Sequence, residues 1–300
     1  MKVGYVALIG RPNVGKSTLL NKILGQKVAI TSDKPQTTRI SILGVKTDAT
    51  GQVIFVDNPG IHKPLHKLNK RMMNFVYSSL ETSDLICLLI DVTMKFGHGD
   101  TFVLEALKKV STPIFLLINK TDIIKKAKIL LLIDKYKDLM DFKEIIPISA
   151  LTGTNIDVLE DKIHDCLPEA DKIFSDDEIS DQSQRFLLSE LIREKVLKHV
   201  REELPFATAV YVDNIEERTT QPGVSKKKPL KIIQASIFVE KDNHRKIIIG
   251  RQGSLIKTIG IEARKEMEEE LDAKIFLDLR VKVKEKWRDS AQVLDLIEKQ

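Results

Sequence analysis

Residues 10–17 read G-R-P-N-V-G-K-S, between the apolar run V-A-L-I (6–9) and the helical stretch S-T-L-L-N-K-I-L (17–24). The spacing is G-x-x-x-x-G-K-[ST], the pattern of a loop whose backbone N–H groups wrap phosphates at a helix N-terminus. Gly10 and Gly15 let the backbone approach an anion, and Arg11, Pro12, Asn13 and Val14 span the loop. Lys16 is placed to reach β- and γ-phosphates, Ser17 to ligate magnesium, and Thr18 follows it into the helix. A strand, a phosphate loop and a helix in that order make the first half an α/β nucleotide-binding unit.

Working outward, four more short apolar runs follow: V-I-F-V (53–56), L-I-C-L-L-I (85–90), I-F-L-L-I (114–118) and I-I-P-I (145–148). They are continuous rather than alternating, as in strands buried on both faces. Helical segments such as 101–110 and 156–167 supply the covers, which predicts a mostly parallel sheet with helices on both faces.

The nucleotide is read from N-K-T-D, residues 119–122, at the carboxyl end of one such strand. Asp122 can accept two hydrogen bonds from N1–H and the exocyclic amine of guanine, a donor pair that adenine lacks. Asn119 can tie loops together and meet the base edge, the Lys120 stem can cover the purine, and Thr121 lies between Lys120 and Asp122.

The ordered set G-R-P-N-V-G-K-S, P-Q-T-T-R (35–39), D-N-P-G (57–60), N-K-T-D and S-A-L (149–151) resembles the five motifs of translation-factor-type GTPases, over about residues 1–168. The resemblance implies that Thr38 joins Ser17 on magnesium, with Thr37 the adjacent alternative. Asp57 binds that ion through water, and Pro59 leads to Gly60, whose N–H meets the γ-phosphate. Ser149, Ala150 and Leu151 support the base. Asn58 departs from the threonine common in the family, and Ile61 stands where Ras-like enzymes carry the glutamine that orients water. Slow basal hydrolysis is therefore expected, with Lys16, Thr38 and Gly60 as the catalytic set. Neither Arg11 nor Arg39 is assigned as an arginine finger. In related GTPases with the P-N-x-G-K-S pattern, the asparagine equivalent to Asn13 helps bind a potassium ion that substitutes for the finger. The other reading of Asn13 is a loop residue that stabilises the turn.

From Arg185 the rhythm changes to a helix, the strand A-T-A-V-Y-V-D-N-I (207–215), the strand K-I-I-Q-A-S-I-F-V-E (231–240), a long helix from about Gly253, and K-I-F-L-D-L-R-V-K-V-K (274–284). This is an α+β unit with antiparallel strands. I-I-I-G-R-Q-G-S-L-I-K-T-I-G (247–260) places G-x-x-G between an apolar strand end and a helix, and resembles the loop of a bacterial-type KH domain, which clamps about four nucleotides. The RNA contacts so implied are Lys246, Gly250, Arg251, Gln252, Gly253, Ser254 and Lys257, with Arg245 adding charge. Lys226, Lys227 and Lys228 read either as a further phosphate contact or as a solvated loop.

The two halves together resemble the Era-type family of bacterial GTPases with a C-terminal KH domain. That resemblance implies binding to 16S ribosomal RNA near its 3′ end and to the 30S subunit, action in small-subunit assembly, and a monomeric, cytoplasmic protein. It also implies peripheral contact with the cell membrane, for which the sequence offers Lys63, Lys67, Lys70 and Arg71 beside an amphipathic helix. A solvated helix is the alternative reading. The expected boundaries are a GTPase unit at 1–168, a polar linker at 169–184, with a short structured connection as the other reading, the KH unit at 185–286 and a tail at 287–300.

Composition agrees with this division. The net charge is +5, and residues 1–170 carry 23 basic against 18 acidic residues, so residues 171–300 are neutral in sum. Any RNA surface in the second half must come from local clustering. Cys87 and Cys166 are isolated and read as idle thiols in a reducing compartment. His62 and His66 are four apart, but Pro64 interrupts a common helical face and no carboxylate completes a metal set, so they read as ordinary loop histidines. The first ten residues run into the glycine-rich turn without a small-residue cleavage site, which favours a core strand over a leader.

Overall fold

Apolar runs form the interior strands of a six-stranded sheet in the computed structural model, which describes residues 1–218 and 228–300. The chain divides into two units: Met1–Leu65 with Asn69–Asp181, and His66–Leu68 with Gln182–Gln300. The first contains β1 (Lys2–Gly10), α1 (Lys16–Leu24), β2 (Ile42–Thr47), β3 (Gly51–Asp57), most of α2 (Lys67–Thr82), β4 (Leu85–Asp91), α3 (His98–Leu107), β5 (Ile114–Asn119), α4 (Lys126–Lys137), β6 (Glu144–Pro147) and α5 (Ile156–Cys166). Its strand order is β2-β3-β1-β4-β5-β6. Every pairing is parallel except β2 with β3. β2 lacks a long continuous apolar run because it is an edge strand only partly covered.

Register places the chemistry. Leu8 pairs with Asp57 and Asp91 with Asn119, so the polar ends of β1, β3, β4 and β5 lie along one edge of the sheet. Their apolar parts anchor those ends in the core: Ala7, Ile9, Ile86, Leu88, Leu116 and Ile118 pack in one cluster with Met73 and Val76 of α2.

The linker expectation is corrected, because residues 169–181 belong to the first unit. The Ala170 amide donates to the Met1 carbonyl at 3.0 Å, and Val45 donates to the Ile179 carbonyl at 2.8 Å. The buried Gln52 side chain accepts from the Ile173 and Phe174 amides and donates to the Phe174 carbonyl at 2.8 Å. Edge strand β2 has backbone groups that need partners, and this polar segment supplies them while Phe174 packs on Val3, Val45 and Ile54.

The second unit contains α6 (Gln184–His199), α7 (Leu204–Ala207), β7 (Thr208–Arg218), β8 (Leu230–Val239), α8 (Asp242–Ile249), α9 (Ser254–Glu270), β9 (Lys274–Val283) and α10 (Ala291–Glu298). Ser183 caps α6 by accepting from the Phe186 amide at 3.1 Å. Ile192 and Val196 of α6 pack with Ile233, Ile237, Ile259 and Met267. The sheet order is β7-β8-β9, with the first pair antiparallel and the second parallel. The expectation of antiparallel strands alone is therefore corrected: α8 and α9 form a crossover long enough to return the chain beside β8 in the same direction.

Residues 287–300 are folded rather than a tail. Trp287 is buried with its indole N–H on the Ala207 carbonyl at 2.9 Å, and Leu294 of α10 is buried. Gln300 Oε1 accepts from the Val212 amide at 2.8 Å, satisfying part of edge strand β7. Lys226 and Lys227 lie outside the described residues, while Lys228 pairs with Asp272 at 2.6 Å.

Candidate nucleotide site and nucleic-acid interface

The loop after β1 turns into α1 through Gly15, whose φ of 100° is left-handed. Pro12, Asn13 and residues 15–18, with Thr37, Thr38, Gly60, Asp91 and Lys120, line much of a cavity of about 340 Å³. Lys16 is buried there and donates to the Arg11 carbonyl at 3.2 Å. Burial pulls its ammonium down to about 8, against the raising effect of Asp57.

Asp57 ends β3 and is fully buried. Its Oδ2 accepts from Ser17 Oγ at 2.5 Å and Thr38 Oγ1 at 3.4 Å, and the two hydroxyls are 3.0 Å apart. Its Oδ1 is buried without a protein hydrogen-bond partner. Burial pushes the carboxyl up to about 6, opposed by Lys16 and by the two hydroxyls. An orphaned carboxylate oxygen beside two hydroxyl oxygens fits a hard, oxygen-seeking cation such as magnesium. Thr37 does not join them; its hydroxyl donates to the Lys34 carbonyl at 2.6 Å. The geometry therefore distinguishes the two adjacent threonines.

Gly60 lies against the loop so closely that a Cβ there would be 2.6 Å from Pro12 N. The Ile61 amide donates to the Gly10 carbonyl at 3.0 Å, and its side chain, 2% exposed, packs in the core with Ala7, Ile9 and Met73. Ile61 is thus a packing anchor directed away from solvent. Asn58 is also buried: its Oδ1 accepts from Ser41 at 2.8 Å and Ser79 at 2.7 Å, and its Nδ2 donates to Val56 O at 3.0 Å. Asn13 Nδ2 donates to the Asp33 carbonyl at 2.5 Å. Arg11 pairs with Asp100 at 3.0 Å, and Arg39 is buried. Among the described residues no cluster of three or more His, Cys, Asp or Glu is arranged to hold a metal.

The N-K-T-D segment makes a second ring of contacts. Asn119 Nδ2 donates to Val14 O at 2.8 Å and its Oδ1 accepts from the Ala150 amide at 2.9 Å. It spans the two loops, and both ends of its amide are engaged by backbone. Lys120, at a left-handed φ of 67°, donates to Asn13 O at 3.0 Å and to Asp91 at 2.6 Å. Burial alone would raise the Asp91 carboxyl, but Lys120 and Thr93 hold it below its ordinary value. Thr121 Oγ1 donates to Ile148 O at 2.9 Å. Asp122 is exposed and accepts from Ser149 Oγ at 2.6 Å. Ala150 is buried, whereas Leu151 is 74% exposed.

Sequence reasoning missed Asp91, Asp100, Ser41 and Ser79. A signal existed for Asp91: the runs ending in Asp57, Asp91 and Asn119 all stop on a polar residue at the same sheet edge. The other three could not be found, because the contacts that tie them to the site, Asp100 with Arg11 and both serines with Asn58, are remote in sequence.

In the second unit, G-R-Q-G joins two helices. Residues 242–249 are α8 rather than a strand end, so that expectation is corrected; Asp242 opens a helix that the short run I-I-I concealed. Gly250 and Gly253 have φ of 75° and 77°, and Gln252 has 52°. Arg251, Gln252, Ser254 and Lys257 are exposed. Arg245 and Lys246 both pair with Asp242, at 2.7 and 3.3 Å, which reduces their contribution to the local field.

Residues 5–120 match a family described as 50S ribosome-binding GTPase, and residues 215–288 match the KH domain family. The GTPase Era of Ruminiclostridium cellulolyticum is 47% identical over 98% of this chain and 96% of its own length. A crystal structure of Era in complex with MgGDPNP and nucleotides 1506–1542 of 16S ribosomal RNA superposes with a TM-score of 0.93 at 40% identity, covering 99% of this chain and 98% of that one. A variant of Aquifex aeolicus Era bound to GDP and AlF4− gives the same score and identity, covering 99% of each chain. With a P-loop GTPase unit followed by a KH unit over the same span as these relatives, the chain belongs to the Era family of GTPases.

Proposed function

We propose that this GTPase is a nucleotide-controlled switch that binds 16S ribosomal RNA near its 3′ end through the KH unit and acts on the 30S subunit during its assembly and RNA maturation. The observation that carries the switch reading is the convergence of Ser17, Thr38 and Asp57. Thr38 lies in the segment between α1 and β2, so a ligand that engages its hydroxyl would also order that segment.

Magnesium, when bound with GTP, neutralises charge on the β- and γ-phosphate oxygens. Ser17 and Thr38 would hold it directly and Asp57 through water. Lys16, steered by the Arg11 carbonyl, carries its charge to the phosphates, and the Gly60 N–H faces the γ-phosphate. Gly10, Pro12, Gly15 and Thr18 wrap the nucleotide, while Val14, Asn58, Pro59 and Ile61 hold the loops that carry the site from beneath. Asp122 reads guanine, Ser149 fixes that carboxylate, and Asn119 holds the loops together. Ile61 leaves the attacking water without a side-chain partner at that position, so basal hydrolysis is slow.

Potassium would add positive charge beside the phosphates. The support in this chain is Asn13, which already joins the phosphate loop to the Asp33 carbonyl, an oxygen of the kind that ligates a monovalent cation. RNA binding is assigned to the backbone of Gly250–Gly253 and to Arg251, Gln252, Ser254, Lys246 and Lys257. No helix among the described residues is long and apolar enough to cross a membrane. A peripheral contact through Lys63, Lys67, Lys70 and Arg71 would be electrostatic, since α2 spends Met72, Met73, Val76 and Leu80 on the core. The reading is of a monomeric cytoplasmic protein.

The test is RNA affinity of the full chain, measured with a non-hydrolysable GTP analogue, with GDP and without nucleotide. A single-stranded oligonucleotide from the 3′ end of 16S RNA should bind differently in the three states. Equal affinity would leave a constitutive RNA-binding protein with GTP as a structural ligand.

A further inference from the structure

We propose that His62 is a positioning residue for hydrolysis, locking Gly60 to the segment that carries Thr38. The inference rests on the nucleotide-site reading above and adds a residue to which sequence analysis gave no role.

His62 lies outside the nucleotide cavity, two residues beyond Gly60. Its Nδ1 is 2.7 Å from the Gly60 carbonyl, and a carbonyl oxygen can only accept, so Nδ1 carries the proton. Two side-chain amide nitrogens face Nε2, Asn69 Nδ2 at 2.8 Å and Gln36 Nε2 at 3.2 Å, and an amide N–H can only donate, so Nε2 accepts and the two share its one lone pair. Asn69 is buried at the start of α2, and Gln36 belongs to the segment between α1 and β2. One imidazole therefore joins three backbone segments.

What these segments do gives the junction its consequence. The peptide group between Gly60 and Ile61 is fixed at both ends, its carbonyl by His62 and its N–H by the Gly10 carbonyl. Gly60 and Gln36 both line the cavity. Gln36 adopts a left-handed φ of 60°, a conformation unfavourable for a side-chain-bearing residue unless something holds it. Its bond to His62 is such a hold, two residues before Thr38. Loss of the imidazole would free Gly60 and Gln36 together, while the contacts of Lys16, Asn119 and Asp122 stay in place. Ground-state nucleotide binding should survive and the rate of the chemical step should not.

The experiment is single-turnover GTP hydrolysis by the full chain, with GDP affinity measured alongside, for His62→Phe, Gln36→Ala and the double variant. The expected result is a fall in rate of about tenfold to a hundredfold for His62→Phe, with affinity kept within about twofold. The double variant should be no slower than the slower single one, because both remove the same junction. A fall below about fivefold, a parallel loss of affinity, or multiplying effects in the double variant would overturn the proposal. Ring 15N shifts of the wild-type protein give a readout that needs no variant. A protonated Nδ1 with bare Nε2 on His62 is expected, and the opposite tautomer would overturn the assignment. A wild-type chain that hydrolyses no GTP would instead count against the proposed function.

Discussion

Lys16 and Arg251 are both cations in glycine loops that turn into a helix, through Gly15 into α1 and through Gly253 into α9. Lys16 is buried beside a buried carboxylate, whereas Arg251 is exposed. In the first loop, charges are desolvated before any ligand arrives, so geometry and partner identity decide the outcome. In the second, bent backbone and exposed side chains meet a polyanion through water, so affinity is tuned by charge and salt. The two loops should therefore respond differently to mutation, the first steeply and selectively, the second gradually.

The steepest test concerns base selection. Asp122 offers a carboxylate fixed by Ser149. In Asp122→Asn the guanine donor pair meets an amide that can accept only on one side, while xanthine can pair with it. Competition binding should show the GTP-to-XTP preference moving by a factor on the order of 10⁴. Retained GTP selectivity would break the contrast, because the first unit would then read its ligand without this carboxylate.

The exposed loop should be softer. Replacing Arg251 and Gln252 together by aspartate is expected to weaken RNA binding by about a hundredfold at low salt and to flatten the salt dependence of what remains, while GTP hydrolysis without RNA is unchanged. Filter binding across a salt series measures both. Unaltered RNA affinity would move the interface away from G-R-Q-G.

How much of this was readable follows from the same contrast. The phosphate loop, D-N-P-G and N-K-T-D are legible because phosphate, metal and base each demand particular atoms, which only a few residue types at fixed spacing supply. Direction is not legible: nothing in D-N-P-G-I-H says that Ile61 turns into the core or that His62 turns back to Gly60. The adjacent Thr37 and Thr38 are chemically identical and are separated only by the fold. Residues 169–181 looked like a linker because they hold to β2 and β3 mostly through their backbone, as Ile179 O does to Val45 and the Ile173 amide does to Gln52, and backbone bonds leave no side-chain pattern. The helix α8 was hidden because three consecutive isoleucines carry no periodicity.

A smaller effect tests whether the buried site holds its carboxylate against solvation. Asp57 sits above the ordinary carboxylate range, at about 6, because burial disfavours its charge. Between its ordinary value and about 6, the unfolded chain has released a proton that the folded chain keeps. The nucleotide-free protein should therefore lose stability from this group as pH rises through that window. Magnesium requires the ionised form, so binding should release a proton and weaken about tenfold per pH unit below about 6. Calorimetry in two buffers of different ionisation heat measures that release; none between pH 5 and 6 would place Asp57 in the ordinary range.

The mildest test lies at Asn58, where burial alone would suggest a severe effect. Its Oδ1 takes the hydroxyls of Ser41 and Ser79, so Asn58→Thr, restoring the residue common in translation-factor-type GTPases, removes an acceptor that a shorter side chain cannot replace on both sides. Ser79 has alternatives, because its hydroxyl also lies 2.9 Å from the Phe75 carbonyl and 3.0 Å from the Val76 carbonyl. Ser41 is only partly buried and can turn to water. The cost should thus be one net hydrogen bond, about 1 kcal/mol by denaturant midpoint, rather than the larger penalty of an orphaned buried group. A loss above about 3 kcal/mol would mean that Ser79 cannot use its own helix, and no loss would mean that Asn58 does not clasp the two segments. Either result would locate rigidity in the first unit: in the polar ties between its loops, or in the apolar packing beneath them.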